Sequence, residues 1–330
     1  MDFSRRTAVK TGLALLAAPA VVRSGFAAPV RTLKLVMADT VAHPVYPVLK
    51  RFAANVLKKT DGAIAVEVFG VGQLGSQVNM LTGLQTGILD LCAHTSGFVQ
   101  TLYPQFMVVD LPFLFSDVGK AERMLDGPIG TKLLAELPSK GVYGLSYGWW
   151  GWRVFDAVSK AVPEPKDMAG LKVRVQPGAI YAAMFSTLKA IPVATDLAEV
   201  YLALSQNTVN AAEVPIISVV ANKYYEVVKT VTNTNHVYNT GVMMASKRTF
   251  DSLDKKYQDA IRQAAVELTP DWRKSVAEAS DTAEKTVIAN KVKVVAADMT
   301  AYRKAVEPVY QQFRKTIGPE LMDSVLKAAS

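Results

Sequence analysis

The sequence is poor in the residues that build metal and redox centres. Among 330 residues there is one cysteine, Cys92, and there are three histidines, His43, His94 and His236. A single thiol excludes an intrachain disulfide, and four such side chains scattered along the chain exclude a multi-ligand Cys/His metal site. No cofactor and no metal are expected. A glycine-rich Walker loop is also missing. Beyond the first 28 residues no stretch of 18 uncharged apolar residues occurs, so no transmembrane helix is expected. Low-complexity tracts, repeats of solenoid period and flexible linkers are absent as well. The net charge of +8 is not gathered into a basic run, which argues against nucleic acid as a partner.

What is present begins with an address. Ser4-Arg5-Arg6-Thr7-Ala8-Val9-Lys10 is a charged segment with paired arginines, and Thr11 to Val22 is a short apolar stretch. Gly25-Phe26-Ala27 then offers small residues for cleavage. This order is that of a signal peptide over residues 1–28, and the arginine pair resembles a twin-arginine signal. The mature protein is expected in the periplasm.

Half of the residues are apolar and a fifth are charged, as in an ordinary globular protein of about two domains. Thr32 to Ala38 reads as a strand, and Val45, Val48, Leu49, Phe52 and Val56 follow at helical spacing. Ile64, Val66 and Val68 alternate as a second strand. A helix through Met80 and Leu84 ends near Gly87, and Leu89 to Ala93 is a third strand. This opening implies an α/β fold with a mainly parallel sheet covered on both faces. Val142–Leu145 and Arg153–Val158 read as two further strands. After residue 150 the pattern restarts, with strands at 172–176 and 209–214 and helices near 179–189 and 199–204, so two similar α/β domains are expected. A long helix from Asp254 to about Ala289 contains Pro270, which should start, kink or divide it.

Three features could carry chemistry. Gly144-Leu145-Ser146-Tyr147-Gly148 has the spacing of a serine-hydrolase nucleophile, but the aromatic, strand-like residues that follow do not suit the required turn into a helix. Trp149, Trp150 and Trp152 stand beside Arg153, and three tryptophans in four residues cannot all face one side of a strand. At least one, Trp150 being the candidate, is expected to face a cleft. Arg174 sits in a short apolar strand, Leu171-Lys172-Val173-Arg174-Val175, as a surface charge, a structural ion pair or an anchor for an anion. A guanidinium can hold a carboxylate through two parallel hydrogen bonds.

Several longer motifs occur in order: Gly72-Gln73-Leu74-Gly75, Leu111-Pro112-Phe113-Leu114-Phe115, Gly170-Leu171-Lys172-Val173-Arg174-Val175, Glu199-Val200-Tyr201-Leu202-Ala203-Leu204 and Thr234-Asn235-His236-Val237-Tyr238. With these the chain, from about Thr32 to Gly318, resembles the DctP-type solute-binding subunits of tripartite ATP-independent periplasmic (TRAP) transporters. The resemblance implies a binding protein and not an enzyme, partnered by a small organic acid and by the small and large membrane subunits. It implies a periplasmic-binding-protein-like fold, with a ligand cleft between two domains and a long bracing helix. Domain one would be 29–150 plus 240–275, and domain two 151–239 plus 276–330. It implies that Arg174 binds the ligand carboxylate and that Arg153 supports it. Gln77, His94, Thr95, Leu197 and Val214 would complete the pocket. Where the family commonly has an asparagine before the proline of Asp-Gly-x-Glu-Asn-Pro, this chain has Val214, and Leu197 replaces an often aromatic residue. Those changes point to a monocarboxylate with an apolar or aromatic body; a C4-dicarboxylate or a sugar acid is the alternative.

Overall fold

A computed structural model describes residues 29–329; the signal peptide expected over 1–28 lies outside the described residues. The chain opens with β1 (Arg31–Met37), α1 (Val45–Lys59), β2 (Ile64–Phe69), α2 (Gln77–Thr86) and β3 (Leu91–Thr95). β2 and β3 flank β1 in parallel, as the alternation of the sequence implies. α1 lays Val45, Val48, Leu49, Phe52 and Val56 on this sheet. α2 starts at Ser76, whose hydroxyl accepts from the Asn79 N–H, and stops at Gly87, whose φ of 80° suits glycine. α3 (Ser96–Val99), α4 (Val118–Asp126) and α5 (Pro128–Glu136) follow.

The segment expected to hold two strands is one, β4 (Val142–Ala157). The intervening glycines do not end it. They let it bulge between Gly144 and Ser146 and again between Trp149 and Trp152, where Gly151 adopts φ 100°. Its first half pairs antiparallel with β9 (Tyr238–Ser246), and its second half with β7 (Ala211–Pro215) and β8 (Thr230–Asn233). Between them come β5 (Lys172–Val175), α6 (Ala179–Thr187), β6 (Ile191–Ala194), α7 (Val200–Ser205) and α8 (Ile216–Ala221).

The strand order is β2-β1-β3-β9-β4-β7-β5-β6, with β8 on β4 and β10 (Lys293–Ala296) on β8. Two lobes result, one around β1–β3 and the other around β5–β7, and β4 runs through both. The sheet is mixed rather than mainly parallel, because β9 returns between β3 and β4 in the opposite sense. After α9 (Lys247–Asp251), α10 (Lys255–Ala289) spans 35 residues without interruption. Pro270 therefore neither starts nor divides it; the helix is held along its length by packing on α1, β4 and α8. α11 (Met299–Ile317) and α12 (Pro319–Ala329) close the chain. Among the described residues no helix is long and apolar enough to cross a membrane.

Candidate ligand-binding site

The carboxyl ends of β1, β3, β5 and β7 converge between the lobes, where open α/β sheets leave a crevice. There the structure leaves a tight gap of about 330 Å³, part of it open to solvent. Ala38, Asp39, Gln77 and Thr95 line it from the first lobe, and Arg174, Gln176, Leu197, Val214 and Ser218 from the second. Trp150, Arg153 and Asn239 contribute from the strands that join the lobes.

Two buried guanidinium groups define its electrostatics. Arg153 donates from Nε to the Glu213 carboxylate and from Nη2 to the Glu213 carbonyl oxygen, and its Cζ lies 5.1 Å from the centre of the Tyr181 ring. Burial by itself would raise the Glu213 pKa. The Arg153 charge and hydrogen bonds from His236 and Arg153 outweigh it and bring the carboxyl down to about 2. His236 is buried, which lowers its pKa; its Nδ1 lies 2.8 Å from the Thr234 hydroxyl.

Arg174 is arranged differently. Its Nε and Nη2 both donate to the Thr195 carbonyl oxygen, at 2.9 and 2.6 Å. Among the described residues it forms no ion pair. Register places Asp156 of β4 and Arg174 of β5 on either side of Ala212 in one lateral row. Burial, reinforced by the Glu213 charge, raises the Asp156 pKa well above the usual range, against the pull of Arg174 and Arg153, and so weakens Asp156 as a counter-ion. Burial lowers the pKa of Arg174, against the pull of Tyr224, Glu213 and Asp196, so its charge is only partly compensated. Its remaining N–H groups can hold an anion.

Seven of the eight residues singled out from the sequence line this cavity: Arg174, Arg153, Trp150, Gln77, Thr95, Leu197 and Val214. His94 does not. Its Nδ1 accepts from the Thr95 N–H at 2.8 Å and its Nε2 faces the Gln77 carbonyl oxygen at 3.2 Å, so it steadies two lining residues from behind. Burial brings its pKa down to about 4. The tryptophan run divides, with Trp150 at the cavity while Trp149 stacks on Tyr238 at 5.3 Å and Trp152 meets the same ring edge-on at 5.6 Å. The bulge at Gly151 produces this split. Ser146 lies within β4 rather than at a strand-to-helix turn, and its hydroxyl has no hydrogen-bond partner.

Sequence reasoning missed Asp39, Gln176, Ser218 and Asn239. Gln176 was within reach, since strand alternation puts it on the face of Arg174. Asp39 carries no local signal. Gln77 Oε1, Gln176 Nε2 and Asn239 Oδ1 are buried without a hydrogen-bond partner among the described residues. The loop Gly70-Val71-Gly72-Gln73-Leu74-Gly75 has the G-x-G-x-x-G spacing of dinucleotide sites. Here the helix start it leads to is answered by protein, because the Gln77 N–H donates to Asp196 Oδ2 at 2.8 Å.

Comparison with known proteins bears on what such a cavity holds. The model of DctP, bacterial extracellular solute-binding protein family 7, matches residues 36–316. The sugar acid binding protein DctPAm of Advenella mimigardefordensis, solved with galactonate, is 32% identical with a TM-score of 0.88, over 92% of this chain and 98% of that one. The 2,3-diketo-L-gulonate-binding periplasmic protein YiaO of Escherichia coli is 34% identical over 69% of this chain and 70% of its own length. The C4-dicarboxylate-binding periplasmic protein DctP of Rhodobacter capsulatus is 30% identical over 85% of each.

Proposed function

This chain belongs to the DctP family of extracellular solute-binding proteins, which serve TRAP transporters in the periplasm, and we propose that it captures a small organic monocarboxylate between its lobes and delivers it to the membrane subunits. The observation that carries this reading is Arg174, a buried guanidinium that faces the cavity with no carboxylate of its own. A buried guanidinium that forms no ion pair favours an anionic ligand. Trp150, Leu197, Val214 and Pro215 give the cavity an apolar side. An alkyl or aryl body laid there gains about 25 cal/mol for each Å² removed from water.

A second reading has its own observation. The unpartnered amide groups of Gln77, Gln176 and Asn239 would be satisfied by a ligand with several hydroxyls, such as a sugar acid. Calorimetry on a panel of acids separates the two. Branched 2-oxo acids, mandelate and phenylglyoxylate are expected to bind most tightly on the first reading, and galactonate or galacturonate on the second. Tightest binding of succinate or malate would overturn the monocarboxylate assignment. If no acid raised the melting temperature, the carboxylate role of the cavity would fall altogether.

A further inference from the structure

We propose that Asp39 is a clasp between the lobes and, through the same carboxylate, a filter that keeps a second ligand carboxylate out of the cavity. The filter rests on the carboxylate reading above; the clasp does not. Asp39 follows β1 in the first lobe, lines the cavity and is 4% exposed. Its Oδ2 accepts from the Ser218 hydroxyl at 2.7 Å, and its Oδ1 accepts from Asn222 Nδ2 at 3.0 Å and from the Thr40 N–H at 2.7 Å. Ser218 and Asn222 stand one turn apart at the end of α8, in the second lobe. Asn222 Nδ2 also donates to the Ser218 carbonyl oxygen at 2.9 Å, which fixes the pair as a two-pronged donor. A first-lobe carboxylate thus sits between two second-lobe donors at the cavity wall, and opening the cleft must break both bonds.

The charge of Asp39 is answered mainly by neutral donors. The basic side chain nearest it is His43, 3.8 Å away; burial lowers the pKa of His43, against the opposing pull of Asp39. His43 packs against the Trp150 ring at 4.8 Å, so the wall behind Asp39 is closed. With Arg153 paired to Glu213, Arg174 and Asp39 are the opposite charges left at the cavity, so a ligand carboxylate on Arg174 already brings its charge to −1. A second carboxylate would share the buried cavity with Asp39 and find no free cation there. Like charges held together in a buried site are strongly disfavoured.

The test uses pairs that differ by one charge: succinate against succinamate, and galactarate against galactonate. Calorimetry on the full mature chain should give the monoanion of a bound pair an advantage of about tenfold or more, shrinking to about threefold or less in Asp39→Asn. Equal or tighter binding of the dianion by the unaltered protein overturns the filter, and so does an Asp39→Asn preference that stays as large. If neither pair binds, the filter falls with the carboxylate reading, and scattering decides the clasp. Without ligand, Asp39→Ala and the double variant Ser218→Ala/Asn222→Ala should each show a larger radius of gyration than the unaltered protein. Asp39→Asn, nearly isosteric, controls for loss of folding. An unchanged radius in both alanine variants overturns the clasp.

Discussion

Arg153 is bound twice by Glu213, once through the carboxylate and once through the backbone carbonyl oxygen. Arg174 receives only the carbonyl oxygen of Thr195. Two arginines that line the same cavity are therefore not equivalent. One belongs to the framework, and the other has positive charge left for a ligand.

Arg174→Ala is expected to weaken binding of the acid found by the panel by roughly 30-fold or more, since truncating one partner of a buried charge pair costs about 2–5 kcal/mol. Arg174→Lys should recover little, as an ammonium cannot reproduce the planar fork. Calorimetry that gave unchanged affinity in a folded Arg174→Ala would remove Arg174 from the site.

Removing the partner of Arg153 should act on folding. Glu213→Gln leaves a buried guanidinium with an amide in place of a carboxylate. Breaking a buried pair from one side costs about 3–5 kcal/mol. Denaturant melts should show a loss of that size for Glu213→Gln and for Arg153→Ala. If the Arg153→Ala/Glu213→Gln double variant lost the sum of the two, the residues would not be coupled.

The sequence carried some of this and withheld the rest for physical reasons. β1, α1 and β2 were legible because each buries one face and so repeats with a clean period. Arg174 was legible because a charge in a four-residue apolar strand stands out. β9 was not, since Asn239-Thr240-Gly241 interrupts its apolar run, although all nine of its residues are buried. The unbroken β4 was hidden by glycines that read as punctuation and act as bulges. Asp39 was beyond local reasoning, because its partner Ser218 is 179 positions away. Resemblance to a family supplied Gln77, Thr95, Leu197 and Val214, but not the difference between the two arginines, which depends on who else is buried beside them.

The bracing helix depends on two glycines. Gly148 of β4 and Gly241 of β9 face each other in register, and Trp272 of α10 lies on both. A Cβ on Gly241 would come within 2.7 Å of the indole, and one on Gly148 within 2.2 Å. Gly241→Ala should therefore destabilise by about 1–3 kcal/mol through overpacking, and Trp272→Ala by about 3–5 kcal/mol through the void it leaves. Trp150 meets Trp272 edge-on at 5.6 Å, so both changes should also weaken ligand binding. A Gly241→Ala protein with unaltered melting and affinity would show that α10 can slide without cost.

Asp110 gives a pH dependence whose sign can be worked out. It is 1% exposed; Oδ1 accepts from the Ser96 hydroxyl at 2.6 Å, and the Tyr181 hydroxyl lies beside the carboxyl. Burial raises its pKa to about 7, against the opposing pull of Ser96 and Arg153. In the unfolded chain the group titrates at its ordinary value of 3.8. Between these limits the folded protein keeps a proton that the unfolded chain has released, so this group's contribution to stability falls as pH rises from about 4 to 7 and is level above. The buried histidines act in the opposite sense: His43, His94 and His236 all have lowered pKa values, so they favour the folded state increasingly as pH rises over part of the same range. The slope of the unaltered protein is thus a sum, and only a difference isolates Asp110. Asp110→Asn, which cannot ionise, should match the unaltered protein most closely in relative terms near pH 4. It should gain on it up to pH 7–8, by on the order of 4 kcal/mol at 1.36 kcal/mol per pKa unit. Urea melts of both proteins across pH 4–8 measure that difference directly. A constant gap between the two curves would mean that Asp110 does not titrate in this window.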